Sequence, residues 1–74
     1  MIGGYMNNRL GANLESALYN LVKKASASGS SSTGNCTTPE FQELKKRGYF
    51  DSCQEYLNES AHVTLSRKAL GYFN

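Results

Sequence analysis

The chain has 74 residues with a net charge of +2, 39% hydrophobic and 19% charged, the balance of one ordinary globular domain. So short a chain builds only one small core, and a second copy or a partner would add stability. No apolar run reaches bilayer-spanning length, so a membrane helix is not expected, and the charge excess is too mild to define a polyanionic partner by itself.

Residues 1–74 are expected to form a single domain. The opening "MIGGYMNNRL" lacks a basic start, an apolar stretch of signal length and a small-residue cleavage site. A cytoplasmic protein is the expectation. On that expectation the glycosylation-type triplets at Asn35 and Asn58 carry no consequence. Cys36 and Cys53, with the lone His62, are too few for a zinc site, and no metal or other cofactor is expected. Idle thiols are the simplest reading of the two cysteines, although their pairing is not decided by sequence.

The first element is a helix over about residues 8–26. Leu10, Leu14, Ala17, Leu18, Leu21, Val22 and Ala25 recur at spacings of three and four and trace one face. Asn7 or Asn8 would cap its start, and Lys23 and Lys24 sit at its negative end. Residues 26–35, "SASGSSSTGN", have little side chain to bury against the entropy of ordering them, so a flexible Ser/Gly-rich loop is expected. A second helix, about 38–47, begins with a threonine cap, Pro39 and Glu40, buries Phe41 and Leu44, and stops at Gly48 behind Lys45, Lys46 and Arg47.

Two structures compete for the next stretch. In one, residues 49–56 and 62–65 form a β-hairpin, favoured by Val63, Thr64 and Leu65. In the other, residues from Asp51 continue as helix with Cys53, Tyr56 and Leu57 on one face, giving an all-α small bundle. Ser66 then caps a last helix, about 66–73, with Ala69, Leu70 and Phe73 on a shared face.

The order of these signals from Leu44 to Phe73 resembles the second half of a winged-helix domain. The carriers are "LKKRGYF", ending a core helix, and "VTLSRKA", returning from a two-stranded wing into a closing helix. The resemblance implies an α+β winged-helix-like domain, of a size common among bacterial and phage regulators, that binds double-stranded DNA and regulates transcription, working as a homodimer. The Ser/Gly stretch departs from that pattern, since it leaves no room for a full scaffold helix before the reading helix.

DNA binding needs cations for phosphates and polar side chains for base edges. Lys45, Lys46, Arg47, Arg67 and Lys68 are the candidate cations. Thr37, Thr38 and Gln42, at the start of the second helix, are the candidate base readers. Against them stand Glu40 and Glu43 on the same helix and Glu55 and Glu59 around the wing tip, and the basic run also suits the negative end of a helix. The rival function is a protein-interaction module on the same scaffold that never touches DNA. Tyr19, Tyr49, Tyr56 and Tyr72 are expected to roof the core. Catalysis is not expected, because His62 has no acid or nucleophile near it in sequence and no phosphate-cradling glycine loop exists.

Overall fold

The computed structural model describes residues 10–25 and 29–73. Over them the chain is a small α+β domain with three helices and a three-stranded antiparallel sheet. The elements run α1 (Ala12–Ala25), β1 (Ser31–Asn35), α2 (Pro39–Lys46), β2 (Phe50–Glu55), β3 (Ser60–Leu65) and α3 (Arg67–Leu70). The strands lie in the order β1-β3-β2. The hairpin reading therefore holds and the all-α bundle does not: β2 pairs with β3 from Phe50↔Leu65 to Glu55↔Ala61.

The last strand in the chain, β3, is the middle one of the sheet. Ala61, Val63 and Leu65 alternate inward and are almost completely shut from water, while His62 faces out, the two-residue period of a half-buried strand. The core is completed by Leu18 and Leu21 of α1, Phe41 and Leu44 of α2, Tyr49, and Ala69 of α3. The rings of Phe41 and Phe50 pack at a 45° tilt with 5.0 Å between their centres.

The expected loop over residues 26–35 is corrected in its second half, where Ser31–Asn35 forms β1 and pairs with β3 from Ser31↔Thr64 to Asn35↔Ser60. Residues 26–28 lie outside the described residues. The alternation in β1 escapes hydropathy because its inward positions are Ser32 and Gly34. Ser32 is buried and its hydroxyl donates to the Leu21 carbonyl at 2.8 Å. Gly34 leaves room for the helices: a Cβ there would stand 3.1 Å from a Leu21 methyl and 3.5 Å from the Phe41 ring. Small residues let α1 and α2 lie close on the strand, and the ladder to β3 satisfies its backbone.

Helix α1 starts at Ala12, later than the expected 8–26, with Leu10 buried ahead of it and the Glu15 amide bonded to Gly11. The expected caps Asn7 and Asn8 lie outside the described residues. In α2, within the expected 38–47, the Thr38 hydroxyl accepts the Phe41 amide at 3.2 Å and Pro39 takes the first position. At its other end Gly48, at φ +87°, closes the helix: its amide reaches Lys45 O and that of Tyr49 reaches Leu44 O. This is a Schellman ending, with buried Tyr49 folded back over buried Leu44. The last helix is shorter than the expected 66–73. Ser66 caps it at Ala69, and from Gly71 the chain turns.

Tyr49 belongs to the core and Tyr72 packs against it, partly buried, whereas Tyr19 and Tyr56 are half exposed. The Tyr72 hydroxyl accepts the Leu10 amide at 2.9 Å and donates to Glu15 at 2.6 Å, tying the C-terminal turn to α1.

Leu18→Ala and Leu44→Ala each should cost about 2–5 kcal/mol through the cavity left in so small a core. Gly48→Ala should cost about 1–2 kcal/mol, because its left-handed backbone penalises any Cβ. Urea denaturation of the three variants measures both effects.

Candidate functional site

Ser66 stitches α2 to α3. Its amide donates to Tyr49 O at 2.9 Å and its hydroxyl to Gly48 O at 3.1 Å. Two basic runs far apart in sequence thereby share one surface. Lys68 marks the seam: its ammonium donates to the Arg47 carbonyl at 2.8 Å and lies 4.5 Å from the centre of the Tyr49 ring. A cation on the last carbonyls of a helix complements its dipole. Lys46, Arg47, Arg67 and Lys68 are all exposed around this seam.

Lys45 points the other way. Its ammonium lies 3.0 Å from Glu55 Oε2, and the Gln42 amide reaches the same oxygen at 3.1 Å and Cys36 O at 2.6 Å. Glu55 can meet them because it pairs with Ala61, on the sheet side facing the helices. The Gln42 bond, then the Lys45 bond, holds the Glu55 carboxyl below its ordinary value of 4.5, and Glu55 in turn raises Lys45. Arg47 Nε meets Glu43 Oε2 at 2.5 Å one turn back, and lowers the Glu43 carboxyl.

The candidate base readers are therefore occupied within the chain. Thr38 is the helix cap, Gln42 is the bridge to Glu55 and Cys36, and Thr37 donates from both amide and hydroxyl to Asn35 Oδ1 at 2.8 and 2.5 Å. Of the eight candidate residues, Lys46 and Arg67 are the two whose charged ends lie exposed with no bonded partner among the described residues.

The hairpin carries a different character. Between Phe50 and Ser60 stand Asp51, Glu55 and Glu59 with no Lys or Arg. Its tip is a tight turn in which the Tyr56 amide donates to Ser60 O at 2.9 Å and the Glu59 amide to Tyr56 O at 3.2 Å. Asn58 Oδ1 accepts both the amide and the hydroxyl of Ser60. Glu59 sits at φ 71°, and its carbonyl accepts the Cys36 amide at 2.9 Å. On this braced turn Leu57 is 106% exposed and Tyr56 51%. The sequence signal is two large apolar residues beside Asn58; the helix reading absorbs both, and the strand reading over 49–56 absorbs Tyr56 and leaves Leu57 outside it.

The thiols of Cys36 and Cys53 are free, Cys36 donating to Glu59 O at 3.4 Å and Cys53 raised by burial. His62 stands on the outer sheet face between Thr33 and Gln54. Among the described residues no three His, Cys, Asp or Glu gather to hold a metal, and no helix is long and apolar enough to cross a membrane. Comparison of the chain with protein-family models, with curated proteins and with solved structures gives no match.

Because the folded Glu55 carboxyl is lowered, its bonds contribute stability that is present above the ordinary carboxylate range and lost as pH falls through the folded value. Glu55→Gln should therefore flatten part of the acid limb of stability below about pH 4.5. Urea midpoints measured from neutral pH downward for both proteins check this, and the difference should shrink in high salt because the pair is open to solvent.

Proposed function

We propose that the chain is a winged-helix-like module that binds double-stranded DNA in a regulatory role, gripping phosphates through the seam between α2 and α3. The observation carrying this reading is the convergence of Lys46, Arg47, Arg67 and Lys68 around the Lys68–Arg47 contact. Support for the scaffold comes from the order of helix α2, hairpin β2–β3 and closing helix α3, the order in which the resembling motifs occur. The work is binding, not catalysis.

The grip is on the backbone of the duplex. Phosphate contacts supply affinity without sequence information, whereas base reading needs polar side chains free to enter a groove. Thr37, Thr38 and Gln42 are bonded within the chain, so this reading assigns them to local structure. The Arg47 pair with Glu43 is a solvent-open contact that a phosphate can displace.

A second reading, a protein-interaction module with no DNA contact, is favoured by the acidic hairpin and its apolar tip. Titration with mixed-sequence duplex DNA separates the two. Binding should weaken steeply with salt, and Lys46→Ala with Arg67→Ala should lower the salt slope by up to about one unit for each phosphate no longer neutralised, alike on all sequences. Gln42→Ala should reduce stability and leave discrimination unchanged. Absence of binding at low salt overturns the DNA reading in favour of the interaction module.

A further inference from the structure

The sheet ends on two strand edges that are built differently. β2 breaks its register between Phe50 and Ser52 and carries Asp51 and Glu55, so an irregularity and two acids guard that side. β1 keeps an unbroken register to β3 and holds no charge, no proline and no bulge. The bonds from Leu65 N–H to Ser30 O and from Cys36 N–H to Glu59 O fix its phase at the two ends. Bonded pairs alternate in an antiparallel ladder, so Ser32 and Gly34 bond to β3 while Thr33 and Asn35 turn their N–H and C=O outward. Both residues are exposed, and neither of these two N–H groups has a bonded partner among the described residues.

Two cavities of about 320 and 310 Å³ lie along this edge and meet at Thr33 and Lys24. Ser31 and His62 line the first; Asn35, Asn58, Glu59 and Ser60 line the second. Lys24 reaches over from α1 and donates to Thr33 O at 3.2 Å, which leaves two N–H donors on the ammonium and a second lone pair on the carbonyl. The Thr38 hydroxyl meets Asn35 O at 3.3 Å and leaves that oxygen the same spare capacity. The edge therefore offers a donor and an acceptor at Thr33 and again at Asn35, roughly 6.8 Å further on. A chain of phosphates presents acceptors alone. An extended peptide presents both, at that spacing.

We propose that the free edge of β1 takes an extended segment of another protein as a fourth strand, antiparallel to β1, with an acidic side chain at Lys24. The main chain supplies the affinity and the two cavities supply the choice of side chain. Glu59 opposes an acid at the Asn35 end of the edge, so the acid falls in the half of the segment that lies along Ser31–Thr33. Antiparallel pairing makes that the C-terminal half. The contact uses none of Lys46, Arg47, Arg67 and Lys68, so its failure leaves the phosphate grip untouched.

The end-blocked heptapeptide TNTVEVT, titrated into the full chain and followed by amide hydrogen exchange, tests the proposal. The expected result is saturable binding that slows exchange at Thr33 and Asn35 and leaves Cys53 and Glu55, on the other edge, unchanged. Proline in place of the central valine removes the N–H that would meet Thr33 O and should abolish binding. Lysine in place of the peptide's glutamate should weaken binding about three- to tenfold, and Lys24→Glu in the chain should restore it. Thr33→Pro removes an edge donor and no ladder bond, so it should keep its urea midpoint and lose the peptide; if it fails to fold, the proline peptide asks the same question of the parent. Absence of protection at Thr33 and Asn35 under millimolar peptide, equal binding of the proline peptide, indifference to the sign of the peptide's charge, or an edge protected by a second copy of the chain without peptide overturns the proposal.

Discussion

Everything in this small domain hangs on β3. It is the strand that both neighbours hydrogen-bond to, and its inner residues Ala61, Val63 and Leu65 are covered by the helices that the rest of the chain supplies. Without β3 the hairpin has no return and β1 has no partner. β1 in particular has almost nothing of its own to bury. Its stability is borrowed, since Ser32 and Gly34 contribute little apolar area while the ladder satisfies their backbone and Leu21 and Phe41 pack across Gly34. The pairing is long-range, so closing the chain between β1 and β3 costs entropy that the ladder and the helices packed on Gly34 must offset.

That dependence explains which parts of the structure are legible in the sequence. The helices announce themselves by period and cap: Thr38 and Pro39 open α2, Gly48 closes it, and Ser66 opens α3. The hairpin shows through Val63, Thr64 and Leu65 but competes with a helical alternative, because Cys53, Tyr56 and Leu57 also satisfy helical spacing. Pairing decides it, and pairing is a tertiary fact. The strand at Ser31–Asn35 is illegible for the same reason, its inward positions being small rather than apolar. For the site, residue types and places are legible, but employment is not. Nothing in "PEFQELKK" says that Gln42 and Lys45 will meet Glu55, since that requires knowing that β2 presents Glu55 toward α2.

The internal use of charge changes how the surface is understood. Counting cations along α2 gives a dense basic run, yet Lys45 is matched by Glu55, Arg47 by Glu43, and Lys68 by a helix-end carbonyl. Solvent-open pairs of this kind stabilise little and are readily exchanged, so they shape the resting surface more than they fix it. On the proposed reading, a polyanion approaching the seam would meet Lys46 and Arg67 first and could recruit Arg47 from Glu43. Its approach to the hairpin is opposed by Asp51, Glu55 and Glu59. Attraction at the seam and repulsion at the hairpin would set the orientation of any bound duplex.

The same separation of charge bears on stability. A domain of this size has a thin margin between burial and chain entropy, and any association that favours only the folded form deepens it by mass action. The apolar side chains left outside the core are large ones, Leu57 fully exposed and Tyr56, Tyr19 and Phe73 about half. In a monomer they add nothing to the core and cost solubility. Any partner that covered them would bury apolar surface on the folded form alone and so deepen its stability.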